Sequence, residues 1–159
     1  MRRRQVLAGA SVALFGGCLS YPSGTPSDGE TTSPAGTTTA TPAVERTGFE
    51  LRRADCGMVR ERASVSADEE ALAVTVEGTT SAPNACYSAR LADATYNADS
   101  NELRVVVETY DASDGGACTQ CITELDYATT ITLTGGLPAS VVVVHWSRGE
   151  ERTVASTSL

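Results

Sequence analysis

The sequence predicts an all-β domain, an antiparallel β-sandwich of about six to seven strands, with an Ig-like arrangement or a small barrel as the alternatives within that class. Three observations lead there. Apolar and polar residues alternate in separate short runs, which is the period of a strand with one face in a core. Turn-forming clusters ("SADEE", "NADSN", "GGLP") separate those runs at short intervals. No stretch combines a helical period with helix caps.

Two segments of different composition precede the domain. "MRRRQVLAGASVALFGGCLS" opens on Arg2, Arg3 and Arg4, continues with an apolar run from Val6 to Phe15, and reaches Cys18 through small residues. The apolar run is too short to cross a bilayer as a helix, so residues 1–17 read as a signal peptide. Arg3-Arg4-Gln5-Val6-Leu7 resembles a twin-arginine export motif. Phe15-Gly16-Gly17-Cys18 resembles a lipobox, with Phe15 in place of the usual aliphatic residue. Together they imply export of an already folded chain, cleavage ahead of Cys18 and lipidation of that cysteine. The membrane is then the expected partner, through the lipid on Cys18, and the extracellular face of the cell membrane the expected location. Residues 18–43 are rich in Thr, Ser, Pro and Gly, with almost no aliphatic side chain larger than alanine between Ser20 and Ala43. Such a segment buries too little surface to offset its ordering entropy and is expected to be a disordered tether.

The domain is placed at residues 44–150, with strands at roughly 58–66, 71–79, 86–96, 102–110, 121–133 and 139–147 and a flexible tail at 151–159. "ALAVTVEG" puts Leu72, Val74 and Val76 on one face, and "ELRVVVETY" does the same with Leu103, Val105 and Val107. "CITELDYATTITL" alternates Leu125, Tyr127, Ile131 and Leu133 against polar partners. "ASVVVVHW" is apolar on both faces and reads as a central strand. "RLADATY" changes face between Leu91 and Ala94, which predicts a bulge. "GGLP" (Gly135 to Pro138) reads as a tight hairpin turn. Tyr87, Tyr96, Tyr110 and Trp146 are assigned to a thin core rather than to an exposed patch.

Charge narrows the partners. The formal net charge is −8, and all 12 basic residues are arginine. No basic footprint for phosphate exists, so nucleic acid is excluded as a partner. A surface of Asp and Glu without Lys suits concentrated salt, although a GC-rich genome also exchanges Lys for Arg. Cleavage before Cys18 would remove three arginines, leaving 9 basic against 20 acidic residues, a formal charge of −11. No Gly-Xaa-Ser-Xaa-Gly elbow, phosphate-binding loop or His-Glu-Xaa-Xaa-His motif occurs. With one histidine and no nucleophile beside it, the chain is expected to be no enzyme, with no catalytic residues and no cofactor. A protein or envelope component is the expected partner beyond the membrane, its identity unknown.

Strand directions bring the remaining chemistry together. An up-and-down course delivers Cys56, Cys86, Cys118, Cys121 and His145 to one pole. An even set of cysteines on an exported domain predicts two disulfides. Three pairings are open; those that close long loops are favoured over Cys118 with Cys121. The alternative is a zinc or copper site, or a redox dithiol, built from Cys56, Cys86, Cys118, Cys121 and His145. Against it, Cys56 and Cys86 lack the paired spacing of zinc knuckles, and "CTQC" precedes a strand rather than opening a helix. His145 is expected to be partly buried, with its polar tip at the rim. Glu108, Asp111 and Asp114 are near enough to suggest calcium, but a solvated acidic loop accounts for them better.

"RRRQVL", "FGGC", the Thr/Pro spacer, "CYSARLADATY" and "GGLPASVVVVH" together resemble the small lipoproteins that halophilic archaea export by the twin-arginine route. The resemblance implies anchorage and a small cysteine-containing β domain. It implies no activity.

Overall fold

The computed structural model describes residues 40–159. The signal peptide, Cys18 and all but the last residues of the predicted tether lie outside them. The described residues form eight strands and no helix: β1 (Ala43–Cys56), β2 (Arg62–Asp68), β3 (Ala73–Ala82), β4 (Tyr87–Asn97), β5 (Glu102–Asp111), β6 (Thr123–Thr134), β7 (Ser140–Ser147) and β8 (Glu150–Ser158). One sheet has the order β1-β6-β3-β2 and the other β4-β5-β7-β8. Their edges approach each other at β1 with β4 and at β2 with β8, without joining through strand hydrogen bonds. The fold is therefore an open two-layer sandwich rather than a closed barrel.

The alternating runs do what their period requires. Val74 and Val76 from β3, Leu103, Val105 and Val107 from β5, and Leu125, Tyr127, Ile131 and Leu133 from β6 meet Val141 and Val143 of β7 in one core. β7 lies inside its sheet, parallel to β5 and antiparallel to β8. The bulge in β4 falls between Leu91 and Asp93, as the change of face predicted.

Three features differ from the sequence reading. Residues 150–158, expected to lie almost wholly in a flexible tail, form β8, because β7 is apolar on both faces and its second edge needs a partner. Arg148 and Gly149 make the two-residue turn between them, both with positive φ (56° and 81°). A further strand, β1, lies where none was placed; only Val44, Phe49 and Leu51 of its large side chains turn inward, and its many charges hide the period. "GGLP" does not close a hairpin. It carries the chain from β6 in one sheet to β7 in the other, and Gly135 (φ +79°) lies against the Thr41 carbonyl, where a Cβ would come within 2.4 Å of the oxygen.

One glycine has a specific structural role. Gly78 sits opposite Tyr127 across the β3–β6 ladder, and the phenol lies over it. A Cβ there would stand 2.4 Å from the Tyr127 hydroxyl and 2.8 Å from the Arg62 carbonyl oxygen. Gly48 in β1 has nothing within 4 Å of that position. Gly78→Ala is expected to destabilise the domain by about 1–3 kcal/mol through overpacking. Gly48→Ala is expected to be neutral or slightly stabilising. Urea unfolding of the two variants checks the contrast, and equal losses would contradict the role given to Gly78.

Candidate functional site

The pole predicted to collect the cysteines does collect them. β1 ends at Cys56 opposite Thr123, where β6 begins. β3 ends at the same level, with Ala82 opposite Thr123. In the second sheet Tyr87, the first residue of β4, pairs with Asp111, the last of β5, and β7 arrives there with His145 and Trp146.

Disulfides join Cys56 to Cys121 and Cys86 to Cys118, with sequence separations of 65 and 32. These are long-range pairings, and each removes about 4 kcal/mol of unfolded-chain freedom in the loop-closure model. Both bridges end in the Gly-rich loop between β5 and β6. Backbone hydrogen bonds fix the same loop, from Ala112 N–H to the Cys86 carbonyl and from Ala85 N–H to the Thr119 carbonyl. With every sulfur of the set in a bridge, the five-residue metal cluster weighed from sequence is not assembled. Nor do the neighbouring carboxylates converge: Glu108 pairs with Arg90, and Asp111 accepts from the Ser113 N–H. The hydrogen bonds from Ser113 hold the Asp111 carboxyl below its ordinary value.

His145 is where the sequence reading fell short. It is only 2% exposed, with no tip at the rim. Its Nδ1 meets the Glu61 carboxylate and its Nε2 lies 2.8 Å from the Tyr127 hydroxyl. An ionised Glu61 can only accept, so Nδ1 must donate to it; in the neutral ring Nε2 then accepts from Tyr127. Glu61 also accepts from the Ser81 N–H at 2.8 Å and the Thr80 hydroxyl at 3.1 Å. Tyr127 is held in turn by Phe49, stacked at 5.7 Å between centroids, and by the edge of the His145 ring. The chain of contacts crosses the sandwich. Glu61 stands just ahead of β2 and Tyr127 lies on β6, two strands of the first sheet, whereas His145 belongs to β7 in the second.

Electrostatics follow the geometry. Burial works to raise the Glu61 carboxyl, but the hydrogen bonds from His145, Ser81 and Thr80 outweigh it and hold the group below its ordinary value. Burial, reinforced by the Glu61 charge, pushes the Tyr127 phenol above its ordinary value. Among the described residues, no buried side-chain nitrogen or oxygen lacks a partner.

Glu61 and His145 also form the floor of a cleft of about 600 Å³. Val59, Ala82 and Ile122 supply apolar wall, Ser81 and Ser147 hydroxyls, and Arg148, Glu150, Glu151 and Arg152 the rim. Three large apolar side chains are exposed at this pole: Met58 at 66%, Val59 at 74% and Trp146 at 40%. Trp146 is thus not core, contrary to expectation, whereas Tyr87 and Tyr96 pack against the core as expected. Tyr110 instead lies beneath the Arg90 guanidinium, 4.8 Å from its ring centroid. The loop bearing Met58 and Val59 is held by Glu124, which accepts from the Met58 N–H at 3.0 Å and lies 3.7 Å from Arg60.

Sequence reasoning missed Glu61 entirely, because "RERAS" reads as an ordinary charged surface. The usable signal was Gly78, a glycine inside a strand, which marks close approach by another group. The chain matches no family model, no curated protein and no solved structure.

Two expected outcomes follow from this geometry. Reduction of the unfolded chain should add four hydrogens, two per bridge. Cys118→Ser should then free the thiol of Cys86, and Cys121→Ser that of Cys56, as mapped by alkylation and peptide mass. Free Cys56 in the Cys118→Ser protein would refute the pairing. Glu61→Gln should cost about 1–3 kcal/mol at neutral pH by weakening the acceptor for a buried donor. Because the folded carboxyl titrates below its ordinary value, its contribution is full above the ordinary carboxylate range and fades as pH falls through the lowered folded value. The stability gap between wild type and Glu61→Gln should therefore narrow on acidification, as read by denaturant unfolding across pH.

Proposed function

We propose that this is a non-enzymatic display protein, lipid-anchored through Cys18 on the outer face of the cell membrane, with its disulfide-tied pole as a binding surface. One observation supports this most. β1 begins at the pole opposite the cysteines, where Ala43 pairs with Thr134, and runs to Cys56 at the far end. Fourteen strand residues span about 45 Å. A tether ending at Ala43 would leave the bridges, the cleft and the exposed Met58, Val59 and Trp146 pointing away from the membrane. Disulfides belong to oxidising compartments, which agrees with export.

The non-enzymatic part of the reading rests on the cleft floor. His145 has one nitrogen on Glu61 and the other on a buried phenol, so neither activates a serine or cysteine. The firmly held loops suit recognition, since a rigid surface loses little freedom on binding.

Fractionation of cells tests the anchor. Wild type should partition with membranes, carry a lipid on the peptide beginning at Cys18 and move into the detergent phase. Cys18→Ser should appear in the aqueous phase with its fold unchanged. Membrane retention of the Cys18→Ser protein, or an unmodified Cys18 in the mature chain, would remove the anchored reading.

A further inference from the structure

We infer that the cleft over Glu61 and His145 binds a small organic anion, a carboxylate on an apolar body, with Arg148 and Arg152 as its charge partners. The inference rests on reading this pole as a binding surface and adds the class of ligand.

The groups lining the cleft differ in how much hydrogen-bonding capacity they have left. At the floor that capacity is largely spent. Glu61 accepts from His145, Ser81 N–H and Thr80. The Ser81 hydroxyl donates to the Arg60 carbonyl at 2.9 Å and accepts from the Arg60 N–H at 2.6 Å. The floor therefore does not supply a free carboxylate for a cation. What remains uncommitted is mostly donor. The Ser147 oxygen accepts from Thr109 at 3.0 Å, which leaves its own hydrogen to give. Among the described residues Arg148 and Arg152 form no ion pair; Arg46 and Arg62 also lack one, though Arg62 donates to Thr79, whereas Arg52, Arg53, Arg60, Arg90 and Arg104 are all paired. Of the two rim carboxylates, Glu151 is held by Arg104 at 2.7 Å, which leaves Glu150 at the rim and the ionised Glu61 on the floor, the latter already met by His145, Ser81 N–H and Thr80.

A second cleft, on the outer side of the first sheet, shows the opposite pattern. It too is lined by arginines, but Arg52 is paired with Glu77, Arg53 with Asp55, and Arg62 donates to Thr79. In a chain where acidic residues outnumber basic ones, 20 to 12, two of the three arginines left uncommitted among the described residues (Arg46, Arg148 and Arg152) line this one cleft. Guanidinium matches a carboxylate with paired, charge-assisted hydrogen bonds. Val59, Ala82 and Ile122 provide the apolar wall for the body of such a ligand. The cleft volume lies within the range of small-molecule sites.

The test titrates the purified full chain with hydrocinnamate and, separately, with its uncharged amide, followed by backbone amide NMR. Hydrocinnamate should give saturable shifts at Val59, Ile122 and Arg148, and the amide should bind at least about tenfold more weakly. Arg152→Gln, and Arg148→Asn, which keeps a residue suited to the positive φ of the turn, should each weaken hydrocinnamate about fivefold or more. Arg46→Gln, at the opposite pole, should change nothing. Equal binding of acid and amide, no saturation below about 50 mM, or equal weakening by Arg46→Gln would overturn the inference. If a rim variant fails to fold, the acid-to-amide contrast in wild type still decides it. Cys18→Ser fractionation reads the anchor independently, so failure of the anchor and failure of the cleft are separate results.

Discussion

His145 is buried between two sheets with both ring nitrogens committed, and that arrangement sets the terms for everything around it. An imidazole in an apolar layer needs partners for both nitrogens, and a carboxylate beside it needs several donors, or the burial is costly. Glu61 and Tyr127 complete the histidine; Ser81 N–H and Thr80 complete Glu61. The partners come from four segments, the residue ahead of β2 and the strands β3, β6 and β7, so the network forms only when all four are in register. The hydrophobic core can hold two sheets together without fixing their alignment as tightly. A directional chain across the layer supplies that alignment, and Gly78 makes the room for it.

The disulfides and the hydrogen-bond chain act on the same pole by different means. The bridges restrict the loop between β5 and β6, holding it to Cys56 at the end of β1 and Cys86 ahead of β4. The Glu61 contacts fix the approach to β2, just past the exposed Met58 and Val59. Together they leave an end of the sandwich whose loops are stiff and whose apolar groups are nonetheless exposed. Stiff loops with exposed apolar groups lose little entropy on contact.

How much of this was legible from sequence depended on whether a residue's role was local. Strand period is local, so the core faces of β3, β5, β6 and β7 were readable from Val74, Leu103, Leu125 and Val141. The bulge after Leu91 was readable for the same reason. β1 and β8 were not, because edge strands keep polar residues on most positions and lose the alternation that identifies them. The convergence of the cysteines followed from strand direction alone and survived the crossed topology. Glu61 could not be found that way. Its partner is 84 residues distant, and nothing in "RERAS" marks one charge among several as buried. His145 was read by its residue type as a rim group, when its position on the inner face of β7 already placed it with Val141 and Val143.

The electrostatic character of the surface explains why so much of the specificity is internal. Exposed pairs such as Arg53 with Asp55 and Arg104 with Glu151 contribute little in ordinary buffer and less as salt rises, since the screening length falls to about 3 Å at 1 M. A chain this acidic gains solubility from its surface but cannot rely on it to align two sheets. Hydrogen bonds inside the layer are shielded from dissolved ions, and disulfides are indifferent to them. Placing both devices at one pole makes the geometry of that pole independent of ionic strength. The uncommitted arginines at its rim remain exposed to salt. The shape of the cleft and its affinity for an anion should therefore respond to salt separately, with the shape constant and the affinity falling.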